Sequence, residues 1–297
     1  MGNIIIGTEA VANGVITRHE LQRWYHPILP NVHALRDHAL TLNDRTEAAW
    51  LWSRRRGVIT GLAAAAAHGS LWIDAGVDIE LIYNCPRPPV GVIARNERLA
   101  DDEWQMLAGL PVATPSRAAF DLGRFQPTHD ALARLDALMR ARPFSVEDVL
   151  VLAKRYKGRH GVARLKAVLP FIDGHAESPR ESWWRKLVID SGFPVPATQI
   201  PVAGESGEIL RLLDFGWEEF QVAVEYDGEQ HQSDRKQYLK DRRVMPLLEQ
   251  LRWKVVTVVR EDDPVAVLQR ISRAMWSRGW RGQVQIPAYA YQRRHWA

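Results

Sequence analysis

The sequence predicts a two-domain protein of the α/β class: a mostly helical α+β domain, then a domain whose elements run αβββαβα. A linker at residues 173–176 separates two regions of different pattern. Before the linker, apolar residues recur mainly at helical spacing, and after it several short apolar runs have the pattern of strands. We therefore place one domain at residues 1–172 and the other at residues 173–297.

The composition is that of a globular protein with room for two cores. The chain has 297 residues, of which 46% are hydrophobic and 25% are charged. No apolar run approaches the length of a membrane span, and the first six residues lack the pattern of a secretory or myristoylation signal. A single cysteine, Cys85, excludes an internal disulfide and a multi-cysteine metal site. We expect a cytoplasmic protein that does not associate with membranes.

Charge is unevenly distributed in the second domain, although the net charge of the chain is only +4. Residues 204–231 contain eight acidic residues and one basic residue, Arg211, whereas residues 232–297 contain fourteen basic and six acidic residues. An acidic pocket beside a basic flank suits an enzyme that binds a metal ion and then a polyanion. Two solvated faces of opposite sign would give the same pattern, and this alternative stays open.

The first domain begins with a helix-turn unit. Thr17 and Glu20 have the spacing of a capping box at the start of a helix, and residues 24–35 suggest a β-wing after it. This combination predicts an abridged winged helix.

The rest of the first domain is predicted to combine strands and helices. Strands are expected at residues 77–83 and 90–94, and helices at residues 44–55, 61–69, 103–107 and 114–125, with two further amphipathic helices within residues 128–170. Thr60 is expected to cap the helix over residues 61–69. The alanine run at residues 63–67 serves packing rather than chemistry. A basic turn at residues 154–160 could contact phosphate, but a favourable interaction with the helix dipole is the preferred interpretation.

The order of these elements resembles that of the AbiEi-like antitoxins. The matching residues are Thr17-Arg18, His68-Gly69, the strand from Val77, and Pro111-Val112-Ala113-Thr114-Pro115-Ser116-Arg117-Ala118-Ala119-Phe120-Asp121-Leu122. The chain departs from the family at Ala118, where threonine is usual. The resemblance implies a domain for targeting or partner contact, with a cognate toxin or antitoxin protein as a partner.

The second domain opens with a well-marked helix. Ser178 is a suitable N-cap, Pro179 suits the first helical position, and Glu181 stands three residues after the cap. Strands are then expected at residues 197–203, 210–216 and 221–226, a long helix at 233–251, a strand at 253–259 and a helix at 264–278. Pro246 is expected to kink or break the long helix.

Two carboxylates interrupt the apolar runs of a predicted β-hairpin. Asp214 stands near the end of the first run, and Glu225 lies just before Tyr226-Asp227-Gly228 in the second. Carboxylates at the ends of adjacent antiparallel strands can share a hard divalent cation, and magnesium prefers such oxygen ligands. The alternatives are that these carboxylates point into solvent or pair with nearby arginines.

The order αβββαβ with these carboxylates resembles the PD-(D/E)XK nuclease superfamily, and more closely its branch related to very-short-patch-repair endonucleases. The matching residues are Ser178-Pro179, Glu181-Ser182, Gly192-Phe193-Pro194, Pro196, Gln199, Asp214, Val222-Ala223-Val224-Glu225-Tyr226-Asp227-Gly228, His231, Asp241-Arg242-Arg243 and Leu251-Arg252-Trp253-Lys254-Val255-Val256. The resemblance implies a restriction-endonuclease-like core.

The same resemblance implies a site that hydrolyses phosphodiester bonds with Mg²⁺, or Mn²⁺, as cofactor. Asp214 and Glu225 would ligate the metal, the Tyr226 carbonyl would be a further ligand, and Glu181 would complete an acidic triad. Asp227, also placed in the catalytic set, replaces the lysine of the superfamily's signature.

The absent lysine leaves the water-activating group to be assigned. A histidine can serve in the related branch, so we expect His231 to activate water, with Lys236 as the competing candidate. In the alternative, His231 is an ordinary surface histidine near the start of the next helix.

Cations along the predicted long helix suit contact with nucleic acid. Lys236, Lys240 and Arg243 share a stripe, and Arg242 adjoins them. Such a helix can pack on a sheet and still present cations to phosphates. In the alternative, Arg242 and Arg243 pair with acidic residues.

The sequence thus predicts a metal-dependent DNA endonuclease, acting in defence, a toxin–antitoxin system or repair. The main alternative is a non-catalytic DNA-binding antitoxin or transcriptional regulator whose nuclease-like domain is only a scaffold. The missing lysine favours that alternative. A third option is a nuclease that is the toxin of a pair.

Overall fold

The structure is a computed structural model that describes residues 3–204, 206–227 and 244–291. The chain divides into two compact units, one up to Ile172 and one from Asp173 onwards. This division falls at the boundary expected from the linker. Helices and strands occur in both units, as the predicted α/β class requires.

The first unit begins with a three-stranded sheet and two short helices. In chain order these elements are β1 (Ile4–Ile6), α1 (Gly7–Ala12), α2 (Arg18–Trp24), β2 (Tyr25–Leu29) and β3 (Val32–Leu35). The strands pair antiparallel in the order β1-β3-β2. The Thr17 hydroxyl accepts the N–H of Glu20, and the Glu20 carboxylate accepts the N–H of Thr17. The predicted capping box is therefore present, whereas α1 was not expected.

A five-stranded sheet and the helices packed on it form the rest of this unit. The elements are α3 (Leu42–Trp52), β4 (Val58–Thr60), α4 (Gly61–Ala67), β5 (Ile79–Ile82), β6 (Val92–Arg95), β7 (Trp104–Leu107), β8 (Leu110–Ala113), α5 (Pro115–Phe125), α6 (Thr128–Ala141), α7 (Val146–Arg155) and α8 (Val162–Val168). The strand order is β6-β5-β4-β8-β7. Residues 128–170 thus contain a third helix, α8, beyond the two predicted.

One predicted helix of this unit is a strand. The expectation of a helix over residues 103–107 was wrong, because Trp104–Leu107 form β7 and pair antiparallel with β8. The residues between these strands, Ala108 and Gly109, have φ values of 50° and 82°, as a tight two-residue hairpin requires. Alanine rarely adopts a positive φ, so the turn carries no ordinary hairpin signal.

The core of the first unit is built around α5. Ala118, Ala119, Phe120 and Leu122 are fully buried in this helix. The alanines 63–65 of α4 are buried in the same core, which agrees with the packing role predicted for the alanine run.

The second unit contains a four-stranded sheet between helices. Its elements are α9 (Pro179–Asp190), β9 (Ala197–Ala203), β10 (Ile209–Trp217), β11 (Val222–Asp227), α10 (residues 244–250), β12 (Lys254–Val259) and α11 (Pro264–Ser277). The strand order is β12-β11-β10-β9; β11 is antiparallel to β10 and parallel to β12. The described elements follow the predicted αβββαβα order, and residues 228–243, where most of the long helix was expected, lie outside the described residues.

Both faces of this sheet are covered. Val224 belongs to a buried cluster with Trp184 of α9 and Leu268 of α11, whereas the neighbouring Ala223 belongs to a second cluster with Leu248 of α10. Successive residues of β11 therefore point to opposite faces, as the pleat requires. This burial fixes the register of the strands that carry the candidate site.

Candidate active site

Asp214 lies where strands β10 and β11 separate. The pairing beside the site joins Phe215 to Val224, and continuing that register places Asp214 opposite Glu225. The Asp214 Oδ2 accepts a hydrogen bond of 2.7 Å from the backbone N–H of Tyr226. The carboxylate is therefore fixed between the two strands at the position where the sequence predicts a ligand.

Glu225, the second predicted ligand, is paired with an arginine. Arg211 donates from Nε to Glu225 Oε1 at 2.7 Å and from Nη2 to Oε2 at 3.1 Å. The Glu225 side chain is 8% exposed and that of Arg211 27% exposed. This two-pronged geometry holds the carboxylate strongly, and it is the arginine pairing considered as an alternative for these carboxylates.

Glu181 brings a third carboxylate from the first turn of α9. The helix is capped as predicted, because the Ser178 hydroxyl accepts the N–H of Glu181. The Glu181 Oε2 in turn accepts the N–H of Glu177 at 2.8 Å. The first bond fixes the Glu181 backbone in the first turn, and the second holds its buried carboxylate at the start of the helix.

The pKa of Asp214 depends on the charges of Glu181 and Glu225. Burial raises the pKa of Asp214 to about 8, and the negative charges of Glu181 and Glu225 act in the same direction. The Tyr226 N–H and the Arg211 charge oppose the rise without cancelling it. Glu181, Asp214 and Glu225 therefore form one acidic cluster, in which neutral Asp214 is favoured at neutral pH.

The cluster meets part of the requirement for a magnesium site. Mg²⁺ is commonly held by one or two carboxylates while it keeps several waters, and Asp214 with Glu225 could supply them. Glu225 is, however, bound to Arg211. Within residues 3–204, 206–227 and 244–291, no group of three His, Cys, Asp or Glu side chains is arranged to hold a metal ion. A cation would therefore fit these two carboxylates only after Arg211 moves away from Glu225.

Of the other predicted site residues, some lie within the described part of the chain and some do not. Asp227 ends β11 and is half-buried, like Tyr226 beside it. The guanidinium carbon of Arg180 lies 6.0 Å from the Tyr226 ring centroid. The remaining predicted residues lie outside the described residues: His231, Lys236, Lys240, Arg242 and Arg243.

Comparisons with known proteins link the chain to mycobacterial relatives. Two uncharacterized proteins of Mycobacterium tuberculosis, from the strains CDC 1551 / Oshkosh and H37Rv, are each 32% identical to it over 190 residues. The matched region covers 63% of this chain and 69% of each relative. The chain belongs to the family of these two proteins. No family model and no solved structure matches it.

The first unit of this family member contains a buried network of charges that was not predicted. Arg117 is fully buried and forms ion pairs with Glu97 and Asp121, both at 3.0 Å, and with Glu103. Arg124 pairs with Glu97 at 2.7 Å. Burial alone would lower the pKa of Arg117, but the charges and hydrogen bonds of Asp121 and Glu103 outweigh it and raise the pKa. Such a network needs nearly every member paired, because an unpartnered buried charge is costly.

Thr60 belongs to this network rather than to a helix cap. Its hydroxyl donates to Asp121 Oδ2 at 2.6 Å, and its side chain makes no capping hydrogen bond to α4. The predicted capping role of Thr60 is therefore wrong. Thr60 has the extended backbone of a cap residue, but its hydroxyl is bound to the buried carboxylate of Asp121.

The helices of the described residues give no membrane segment. None of them is both long enough and apolar enough to cross a bilayer.

Proposed function

We propose that the unit from Asp173 onwards is a metal-dependent DNA endonuclease with a restriction-endonuclease-like core. The observation that carries this proposal is the acidic cluster of Glu181, Asp214 and Glu225 where β10 and β11 separate. The order of α9, three strands, α10 and β12, and the sheet order β12-β11-β10-β9, are consistent with that core.

Asp214 and Glu225 would hold the metal, with Glu181 beside them. When bound, the metal would supply a Lewis acid and an activated water for hydrolysis of a phosphodiester bond. The Tyr226 N–H already orients the Asp214 carboxylate, which would present it to the cation. Asp214 must lose its proton to do so, which a nearby divalent charge favours.

Arg211 would be the resident cation of this site. In the free protein its guanidinium neutralises Glu225. If Glu225 held a metal, the Arg211 guanidinium would stand beside it as a second positive charge that could face the oxygens of a substrate phosphate, which arginine binds well through paired donors. Arg211 would thereby supply positive charge that a lysine supplies in the superfamily's signature, where this chain has Asp227.

The proton acceptor for the attacking water is proposed to be His231. Lys236 is the competing candidate. Both residues lie outside the described residues, so this part of the proposal rests on the sequence alone. Replacing His231 by alanine should slow cleavage by about 10²–10⁴-fold if it is the base.

A second candidate function is DNA binding without cleavage, as an antitoxin or transcriptional regulator. Two observations favour it: the Arg211–Glu225 ion pair occupies a predicted metal ligand, and α2 followed by the β2–β3 hairpin is consistent with the helix and wing of the predicted abridged winged helix. A toxin protein would then be the natural partner.

Incubation of the purified protein with supercoiled plasmid or single-stranded DNA separates the two candidates. The reactions contain Mg²⁺, Mn²⁺ or EDTA, and gels report nicking. Cleavage that requires metal and stops in EDTA supports the endonuclease. Retained DNA binding with intact plasmid in both metals supports the non-catalytic alternative.

A further inference from the structure

A cavity of about 460 Å³ opens in the first unit, away from the acidic cluster in sequence. One wall is the segment Arg98–Ala100, which follows β6. The other wall comes from Arg155, Tyr156, Lys157 and Arg159, at the C-terminal end of α7 and in the turn after it. A volume of this size is within the range of small-molecule sites in proteins.

The lining of this cavity is strongly basic. It includes four cationic side chains and no acidic side chain. Arg98, Lys157 and Arg159 are exposed, and no ion pair joins them to another residue within the described ranges of the chain. A favourable interaction with the dipole of α7 would account for one or two basic residues in its last turn. It does not account for Arg98, which comes from a different element.

Arg155 is held in place by two acidic residues outside the cavity. Its Nη1 and Nη2 donate to the two carboxylate oxygens of Asp102, both at 2.8 Å, and Nη1 also contacts Glu103. Asp102 and Glu103 precede β7 and do not line the cavity. The guanidinium is therefore positioned before any ligand arrives, which lowers the entropic cost of binding.

The two walls are joined through the buried charge network. The Tyr156 hydroxyl lies 2.7 Å from Glu103 Oε1 and 3.1 Å from the carbonyl oxygen of Arg98. The fully buried Arg117 pairs with the same Glu103 and donates to the same Arg98 carbonyl at 3.4 Å. The backbone of one wall and the aromatic side chain of the other thus share partners in the core.

We propose that this cavity binds a small phosphate-bearing ligand of about nucleotide size. Arginine and lysine donors recognise phosphate oxygens, and arginine does so through paired N–H groups. The two basic walls border a single recess of about 460 Å³, a volume that suits a compact ligand. The proposal is independent of the endonuclease activity of the other unit.

Calorimetric titration of the full chain with ATP, GTP and inorganic pyrophosphate tests this site, with a single-stranded oligonucleotide as a fourth probe. The variant is Lys157→Ala/Arg159→Ala, which alters exposed side chains only. The matched control is Arg87→Ala/Lys166→Ala, which removes two exposed cations of the same unit outside the cavity. Thermal unfolding confirms that both double variants fold.

The expected result is saturable binding of at least one nucleotide or of pyrophosphate, weakened about tenfold or more in Lys157→Ala/Arg159→Ala and unchanged in the control. Nucleotide binding without pyrophosphate binding would show that the base or sugar contributes. The proposal would be overturned if none of ATP, GTP and pyrophosphate bound. It would also be overturned if the two double variants lost affinity for these ligands to the same extent. Binding of the oligonucleotide alone would also overturn it and assign the surface to nucleic acid instead.

Discussion

Among single residues, Asp214 has a carboxyl group whose pKa is raised strongly by burial and by neighbouring negative charge. Its pKa of about 8 lies above that of an aspartate in the unfolded chain. The folded protein therefore keeps a proton that the unfolded chain releases. The resulting stabilisation is complete below about pH 4 and is lost as the pH rises through about 8.

We expect Asp214→Asn, measured in EDTA, to match the wild type in stability near about pH 4 and to exceed it near about pH 9. Asparagine stays neutral, and its side-chain oxygen can still accept the Tyr226 N–H. Urea unfolding at several pH values measures the difference. Glu219→Gln is the control, because it removes an exposed acid from the turn of the same hairpin. Parallel curves for wild type and Asp214→Asn would contradict the raised pKa.

The Arg211–Glu225 pair gives a second prediction at this scale. Arg211→Met should lower the free energy of unfolding by about 1–3 kcal/mol, because it leaves a buried carboxylate without its strongest donor. The loss should be smaller when Glu225→Gln is already present. Urea unfolding of the single and double variants gives the coupling energy. A coupling energy near zero would mean that the pair contributes nothing in solution.

The sequence located the two strand carboxylates but not their arginine partner. Asp214 and Glu225 are conspicuous because each interrupts an apolar run. Arg211 was noted only as a lone basic residue. The sequence left open that these carboxylates pair with a nearby arginine, but it did not point to a particular one. Side chains three apart, such as those of Arg211 and Asp214, face opposite sides of a regular strand, so their spacing gave no reason to choose Arg211 as the partner of Glu225.

At the scale of elements, α9 shows how a local signal positions the site. Ser178 caps the helix and thereby fixes the first turn, which carries Glu181. Ser178→Ala should cost about 1 kcal/mol of stability, whereas Ser178→Thr should keep most of it. Chemical denaturation of both variants checks this. Equal stability of Ser178→Ala and the wild type would show that the cap contributes nothing.

The sequence predicted correctly those helices and strands whose ends are marked by local residues. The caps at Thr17 and Ser178 and the apolar runs of β10 and β11 identify their elements directly. By contrast, β4 has only three residues, and β7 depends on a turn with an alanine at positive φ. These two strands are defined by their partners in the sheet, which local pattern cannot show. The buried network around Arg117 escaped prediction for the same reason, since Glu97 and Glu103 approach it from other elements.

At the scale of the whole molecule, the charge distribution predicts how nucleic acid would bind. Some of the fourteen basic residues of positions 232–297 would contact phosphates and release counterions. Affinity for DNA should therefore fall by about 10³–10⁵ between about 50 and 200 mM salt if six to ten phosphates are contacted. Fluorescence anisotropy with a labelled duplex measures this. Affinity that is insensitive to salt would exclude binding through the phosphate backbone.

The proposed endonuclease requires Asp214 and Glu225 to hold the metal of a hydrolytic site. Plasmid cleavage in Mg²⁺ and Mn²⁺ by the wild type, Asp214→Asn, Glu225→Gln and Glu219→Gln tests this requirement. We expect cleavage by the wild type and by Glu219→Gln, and none by the other two variants, although both should still fold and bind DNA. Intact plasmid with the wild type in both metals, or wild-type rates in Asp214→Asn and Glu225→Gln, would contradict the claim.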